Sequence, residues 1–215
     1  MKLFQYFLVA SFCLIAFPSF AQFSLGIKGG FGEAHEDYGD VDLPEDADID
    51  IASFNVAAIA YYSFNPYFSV GVEPGYARRG AACIPGWEPI FTGDTKLLFD
   101  YAELPLMAMG RLPIKQFEIF AKIGYGAAYM LKAVEEVDNI EDPDSPFRTD
   151  IDFSNPTRIN RWDHGLYGGV GVGYNYKIHQ IFLVLDHYRA NRNADRTTTS
   201  KNRSLNLNLG YQIRL

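Results

Sequence analysis

Cysteine is nearly missing from this chain: there are two in 215 residues, Cys13 and Cys83, and Cys13 lies in the N-terminal apolar stretch, so no disulfide framework can hold the fold. Basic residues are outnumbered, 19 against 26 acidic ones, and form no basic stripe for a phosphate backbone, which excludes a nucleic-acid partner. Past the N-terminus no window approaches about 18 continuous apolar residues, so helical membrane spans are excluded and any crossing must be made by strands. Catalytic and metal signatures are absent too. The four histidines, His35, His164, His179 and His187, have no H-x-x-x-H or Cys/His spacing, and no G-x-S-x-G occurs. The glycine run at 168–173 lies within a strand pattern instead of at a strand-to-helix turn, so barrel packing explains it better than a dinucleotide loop, and no cofactor is expected. What is abundant is apolar and aromatic: 48% hydrophobic and 15% aromatic residues exclude a disordered tail, and 19 glycines speak against a helical bundle.

Residues 1–22 read MKLFQYFLVASFCLIAFPSFAQ: a positive residue at Lys2, an apolar run, then Pro18 and the small residues Ser19 and Ala21. That pattern predicts a secretory signal peptide over 1–21, cut after Ala21, with 22–215 as a single domain. The apolar run is too short for a membrane anchor and ends at a helix-breaking proline.

Period-two alternation recurs along the whole remaining chain. In SLNLNLGYQIRL (204–215), Leu205, Leu207, Leu209, Tyr211, Ile213 and Leu215 share one face, and Ser204, Asn206, Asn208, Gly210, Gln212 and Arg214 share the other. Segment 116–132 repeats the pattern, and weaker versions at 23–32, 53–64, 67–79, 97–111, 165–177 and 181–190 complete eight predicted strands. Connections alternate between short, near Asn65-Pro66, 112–115 and Ile178-His179, and long, at 33–52, 80–96, 133–164 and 191–203. The expected fold is therefore all-β: an eight-stranded antiparallel up-and-down transmembrane β-barrel with four long extracellular loops, and with short turns and both termini in the periplasm.

A soluble lipocalin-like barrel also alternates, so the content of the polar face must decide. That face is mostly small, with Gly26, Gly30, Gly71, Gly75, Gly124, Gly126, Gly169, Gly171 and Gly173 beside Ser24, Asn55 and Asn175, which suits a cramped lumen better than a watery exterior. The apolar face carries Tyr62, Phe64, Phe68, Phe117, Tyr174 and Tyr176 near the short turns and Phe31, Phe54, Tyr76 and Tyr129 near the long loops, as two aromatic girdles would. Parity then sends Lys28, Glu73, Arg79, Glu103, Arg111, Glu118, Lys122, Lys177, Asp186 and Arg214 inward as a charge network. Buried charges must pair. With Arg111 set opposite Gln116 by the turn, Glu103 would lie diagonal to Lys122 and Arg111 diagonal to Glu118.

Two of these segments, VGVEPGYARRG (70–80) and YAELPLMAMGRLP (101–113), resemble the paired E-x-x-Y-x-x-x-G and Y-x-E-x-P-L stretches of the PorT-like outer-membrane β-barrel family of Gram-negative bacteria. HGLYGGVGVGYNYKIHQIFLVLDHY (164–188) is similar to that family's Gly-rich hairpin, and SKNRSLNLNLGYQI to its closing strand. The resemblance implies an integral outer-membrane protein; some members serve a protein secretion system and most have no assigned activity. The chain departs from the family in carrying Val184 and Asp186 where an acidic-x-Arg pair is usual. It also ends on Leu215, where the barrel insertion machinery commonly meets an aromatic residue.

Seventeen of the 26 acidic residues fall in 33–50 and 135–152, giving two anionic loops that would attract the divalent ions bridging lipopolysaccharide. Asp46-x-Asp48-x-Asp50 matches the opening of a calcium loop but lacks its glycine and distal glutamate, so a solvated charge run is the competing reading. The fourth long loop is basic by contrast, with Arg192, Arg196, Lys201 and Arg203, and would meet anionic headgroups or the acidic loops beside it. Expected partners are thus outer-membrane lipid and lipopolysaccharide, the insertion machinery, and an extracellular or secretion-system protein. The expected function is structural or interactional, without catalysis. Two alternatives stand beside it: a soluble periplasmic barrel binding an apolar ligand, and an outer-membrane lipid- or peptide-modifying enzyme using His164 beside Asp163 or His187 beside Asp186.

Overall fold

A computed structural model describes residues 22–37, 50–83, 95–137, 146–151, 160–193 and 201–215. The predicted leader, 1–21, lies outside the described residues. Among the described residues there are ten strands: β1 (Gln22–Asp37), β2 (Ile51–Asn65), β3 (Phe68–Val72), β4 (Gly75–Cys83), β5 (Thr95–Ile114), β6 (Phe117–Val137), β7 (Phe147–Asp150), β8 (Trp162–Tyr176), β9 (His179–Ala190) and β10 (Lys201–Arg214). Among the described residues no helix is long and apolar enough to cross a membrane.

Eight strand positions close into a ring. β1 pairs with β2 and with β10, β10 with β9, β9 with β8, β8 with β6 and β6 with β5, all antiparallel. β3 and β4 together fill the place between β2 and β5, interrupted at Glu73-Pro74 because proline offers no N–H to the ladder. Backbone bonds bridge that break: Ala58 N donates to Pro74 O at 2.9 Å and Glu73 N to Pro105 O at 3.2 Å. Closure leaves no open edge around the wall, the condition for strands to sit in hydrocarbon. β7 stands apart from the ring; among the described residues it pairs only with the far end of β6, inside a connection that the sequence suggested was a plain loop.

The short connections are two-residue turns, Pro66-Tyr67, Lys115-Gln116 and Lys177-Ile178. Pairing therefore runs on through Leu112, Pro113 and Ile114, with Ile114 opposite Phe117. Arg111 consequently faces Phe120, not Gln116.

Alternation sorts the side chains as the sequence reading expected. On β10, Leu205, Leu207 and Leu209 are 45%, 57% and 60% exposed, whereas Asn206 and Asn208 are buried inside the ring. The exposed face carries a band of apolar side chains, with Ile27, Val56, Leu106, Ile123, Val170 and Leu183 among its members. A solvated exterior would carry charge there, so a soluble barrel with an apolar interior does not fit. Aromatic rings bracket this band. Phe117 lies near Tyr174 (5.4 Å between ring centres) and Phe23 meets Tyr62 edge-on (5.2 Å) at the turn end, while Phe54 meets Tyr76 (5.5 Å) and Tyr129 meets Trp162 (4.8 Å) at the loop end. From Phe117 to Tyr129 on β6, twelve steps of about 3.4 Å tilted about 40° span roughly 30 Å, the thickness of an apolar bilayer core.

The interior is less uniformly polar than parity and glycine suggested. Ile59, Tyr61, Met107, Met109, Phe120, Phe182 and Val184 form one inward apolar layer, and Phe99, Tyr101, Ala128, Met130 and Ala133 another. The glycines make room for them: a Cβ on Gly71 would come within 2.6 Å of Tyr61 Cδ1, and one on Gly171 or Gly210 would overlap the ring of Phe120 or Phe182. Large and small side chains thus alternate across neighbouring strands, as a narrow barrel requires.

Candidate functional site

Charged side chains lie between and beyond the two apolar layers. At the centre, β1, the Glu73-Pro74 junction, β6 and β9 each aim one charge at the axis. Lys28 Nζ lies 2.6 Å from Glu73 and also binds Asp186; Lys122 Nζ lies 2.8 Å from Glu73 and 3.0 Å from Asp186. Two ammoniums and two carboxylates therefore form a neutral ring of four contacts. Tyr61 donates its hydroxyl to Glu73, and Asn208 Nδ2 donates to Asp186 Oδ2 at 3.1 Å. Each carboxylate thus has partners in several directions, which buried charge needs in order to be tolerated.

Toward the loops, Arg79 pairs with Glu103, which also accepts from the Tyr167 hydroxyl at 3.1 Å. The Arg79 guanidinium lies 3.7 Å from the ring centre of Tyr188 and 5.4 Å from that of Tyr101, so aromatic faces supply much of its solvation. Its Nε and Nη1 have no acceptor among the described residues, and it lines a gap shared with Lys28, Glu73, Glu103, Lys122 and Asp186. That gap holds about 30 Å³, enough for one or two waters and far too little for a solute.

Toward the turns, Glu118 gathers Arg214 Nη2 at 2.8 Å, Gln180 Nε2 at 3.1 Å and Arg111 Nε at 3.8 Å. Arg111 also donates from Nη1 to Ser63 Oγ at 3.3 Å. The lumen is closed at this level as well.

The structure thus brings nine of the ten inward-assigned charges into three clusters, and two particulars of the assignment need correction. Lys177 is not in the lumen. It is exposed as the first residue of the Lys177-Ile178 turn, with φ +55°, because β8 ends at Tyr176 and the alternation stops there. Glu103 does not meet Lys122 either. The turn at Lys115-Gln116 sets Glu103 opposite Ala128, six residues or roughly 20 Å along β6 from Lys122, so Glu103 takes Arg79 and Lys122 takes Glu73 and Asp186. Arg111 and Glu118 remain diagonal in the observed register. Sequence reasoning missed the tyrosines around Arg79. Their signal was present, since Tyr101, Tyr167 and Tyr188 share strand parity with Glu103, Gly169 and Asp186.

The paired acid and histidine candidates are divided by the barrel wall. Asp163 and Asp186 face inward, while His164 and His187 face outward, since neighbours on a strand point to opposite sides. His164 Nδ1 instead lies 2.5 Å from the Tyr125 hydroxyl on the outer surface. Of the calcium candidates, Asp46 and Asp48 lie outside the described residues, and Asp50 is exposed with Oδ1 3.0 Å from His35 Nδ1. Among the described residues no three metal-ligating side chains converge.

No curated protein matches the sequence at a significant level. Solved structures with a similar trace include Ail, the attachment invasion locus protein of Yersinia pestis, at 16% identity over 89% of this chain and 99% of that one, with a TM-score of 0.44. Neisserial surface protein A is similar at 14% identity over 90% and 97%, with a TM-score of 0.45, and the outer membrane protease OmpT from Escherichia coli at 11% over 91% and 96%, with a TM-score of 0.38. Residues 7–212, nearly the whole sequence, match the family described as outer membrane protein beta-barrel domain, and the chain belongs to that family.

Proposed function

We propose that this protein is a closed outer-membrane anchor whose work is done by its long connections at the cell surface, in a structural or interaction role and not in catalysis or solute transport. The observation that carries the reading is the lumen. Among the described residues three charge clusters and two apolar layers fill the axis and leave only two water-sized gaps, of about 30 and 10 Å³, so the barrel offers no path for a solute. A mature chain of 22–215, with the two-residue turns and both termini in the periplasm and the four long connections outside, follows from the leader and from the alternation of connection lengths. In its finer form the reading takes up the PorT-like resemblance: an accessory role in protein secretion, with an extracellular or envelope protein as partner.

Epitope tags inserted after Asp142 and between Lys115 and Gln116 test the orientation on intact cells. The first should bind antibody and the second should not; the reverse pattern would overturn it. A deletion strain that exports its usual proteins unchanged would remove the secretion role and leave the anchor.

A further inference from the structure

The outward faces of β8, β9 and β10 share a composition that the lipid band alone does not explain. At the loop end they carry Lys201, Arg203, Arg189, His187 and His164, and among the described residues no aspartate or glutamate points outward from these three strands. Arg203 and Arg189 are direct cross-strand partners in the β9–β10 ladder. Like charges placed opposite one another destabilise a sheet unless an anion joins them. Asp37 on β1 bonds Arg203 and lies 3.9 Å from Arg189, so among the described residues one carboxylate serves two guanidiniums. Among the described residues Nε of Arg203 is buried with no acceptor, and the side chain of Arg189 is 52% exposed. The pair therefore has donors to spare.

Depth identifies what could use them. One outward step below the arginines lie Leu205 and His187, and one step further lie Leu207 and Leu185, both in the apolar band. The guanidiniums thus sit where acyl chains give way to headgroups. The opposite wall differs: there Arg78 binds Asp100 in two-pronged fashion, Nε to Oδ1 at 2.8 Å and Nη2 to Oδ2 at 3.1 Å, and is satisfied within the protein.

We propose that Arg189 and Arg203, flanked by His187, form an outer-wall seat for the phosphate group of a membrane lipid, with the lipid's chains lying over Leu185, Leu205 and Leu207. The proposal rests on the membrane-barrel reading but not on which way the barrel faces, since the seat is defined by its height above the apolar band. Guanidiniums suit the task because their forked N–H groups match phosphate oxygens two at a time.

Native mass spectrometry of the full chain in neutral detergent tests it, with dioleoyl phosphatidic acid, dioleoylglycerol and inorganic phosphate as probes. The folded protein should retain phosphatidic acid about tenfold more strongly than dioleoylglycerol, the size of one charge-assisted bidentate contact. R189Q/R203Q should erase most of that preference, R189Q alone should reduce it by about threefold, and R78Q should leave it unchanged. A preference that survives R189Q, or that is missing in the unaltered protein, overturns the proposal. Displacement of the lipid by millimolar inorganic phosphate overturns the lipid as the source and leaves a free-phosphate site. Unheated gel mobility checks each sample: a protein without the fast-running folded band fails the barrel reading itself, whereas a folded barrel without the preference fails only the seat. R189Q alters a half-exposed side chain and keeps the test open if the double variant does not fold.

Discussion

Replacing Lys122 by methionine should cost the barrel about 3–5 kcal/mol, and almost none of that should reflect lost packing volume. Lys122 sits 2.8 Å from Glu73 and 3.0 Å from Asp186. At an effective dielectric of about 20, a pair at 2.8 Å attracts by about 6 kcal/mol before desolvation is subtracted. Methionine removes the charge but keeps most of the stem, leaving two carboxylates to share Lys28. Glu73→Gln creates the opposite imbalance, two ammoniums on Asp186, while keeping an oxygen to accept from Tyr61, and should cost a similar 3–5 kcal/mol. Together K122M and E73Q leave Lys28 with Asp186, a neutral pair. The double variant should therefore lie within about 2 kcal/mol of either single one, giving a coupling of at least about 1 kcal/mol. Urea titration in lipid vesicles, read by the unheated gel mobility of the folded band, gives the three free energies. Losses that simply add, or single losses under about 1 kcal/mol, would refute the idea that the four charges act as one neutral unit.

Two further outcomes follow from the same geometry. Ile123 lies midway between the aromatic girdles on the outer face, so Ile123→Arg should destabilise the barrel in vesicles by about 2–4 kcal/mol; a neutral result by urea titration would mean that this face is not in hydrocarbon. Gly210 leaves room for the Phe182 ring, so Gly210→Val should cost about 1–3 kcal/mol by overpacking, and Phe182→Val should relieve much of it in the double variant. Equal losses with and without the second change would show that the glycine is needed for some other reason.

The eight-stranded ring was legible in the sequence because two simple periods carry it: side chains alternate every second residue, and connections alternate short and long. The sense of each face was legible as well, since Leu205, Leu207 and Leu209 could not be placed in water while Asn206 and Asn208 were placed in oil. Register was not. Proline at 113 suggested a turn, yet an antiparallel strand tolerates proline where no ladder N–H is needed, and β5 runs on to Ile114. That slip misplaced Glu103 relative to Lys122, although Arg111 and Glu118 lie close enough to the turn to be diagonal under either register. The central ring was out of reach for a deeper reason. Its four members come from β1, the Glu73-Pro74 junction, β6 and β9, and their convergence depends on barrel tilt summed over all the strands between them. Large inward residues such as Phe120 and Phe182 were hidden by the glycines that accommodate them, because a small residue on one strand implies a large one on its neighbour only once the pairing is known.

The direction each face points can be measured residue by residue. Nitroxide labels placed singly at Leu207, Asn208 and Leu209, in a background with Cys13 and Cys83 changed to serine, should report strong collision with oxygen dissolved in the bilayer at 207 and 209. Position 208 should show little collision with either oxygen or a water-soluble nickel complex. High oxygen accessibility at 208 with protection at 207 and 209, or no alternation among the three, would contradict a barrel with its apolar face in lipid and its charges within.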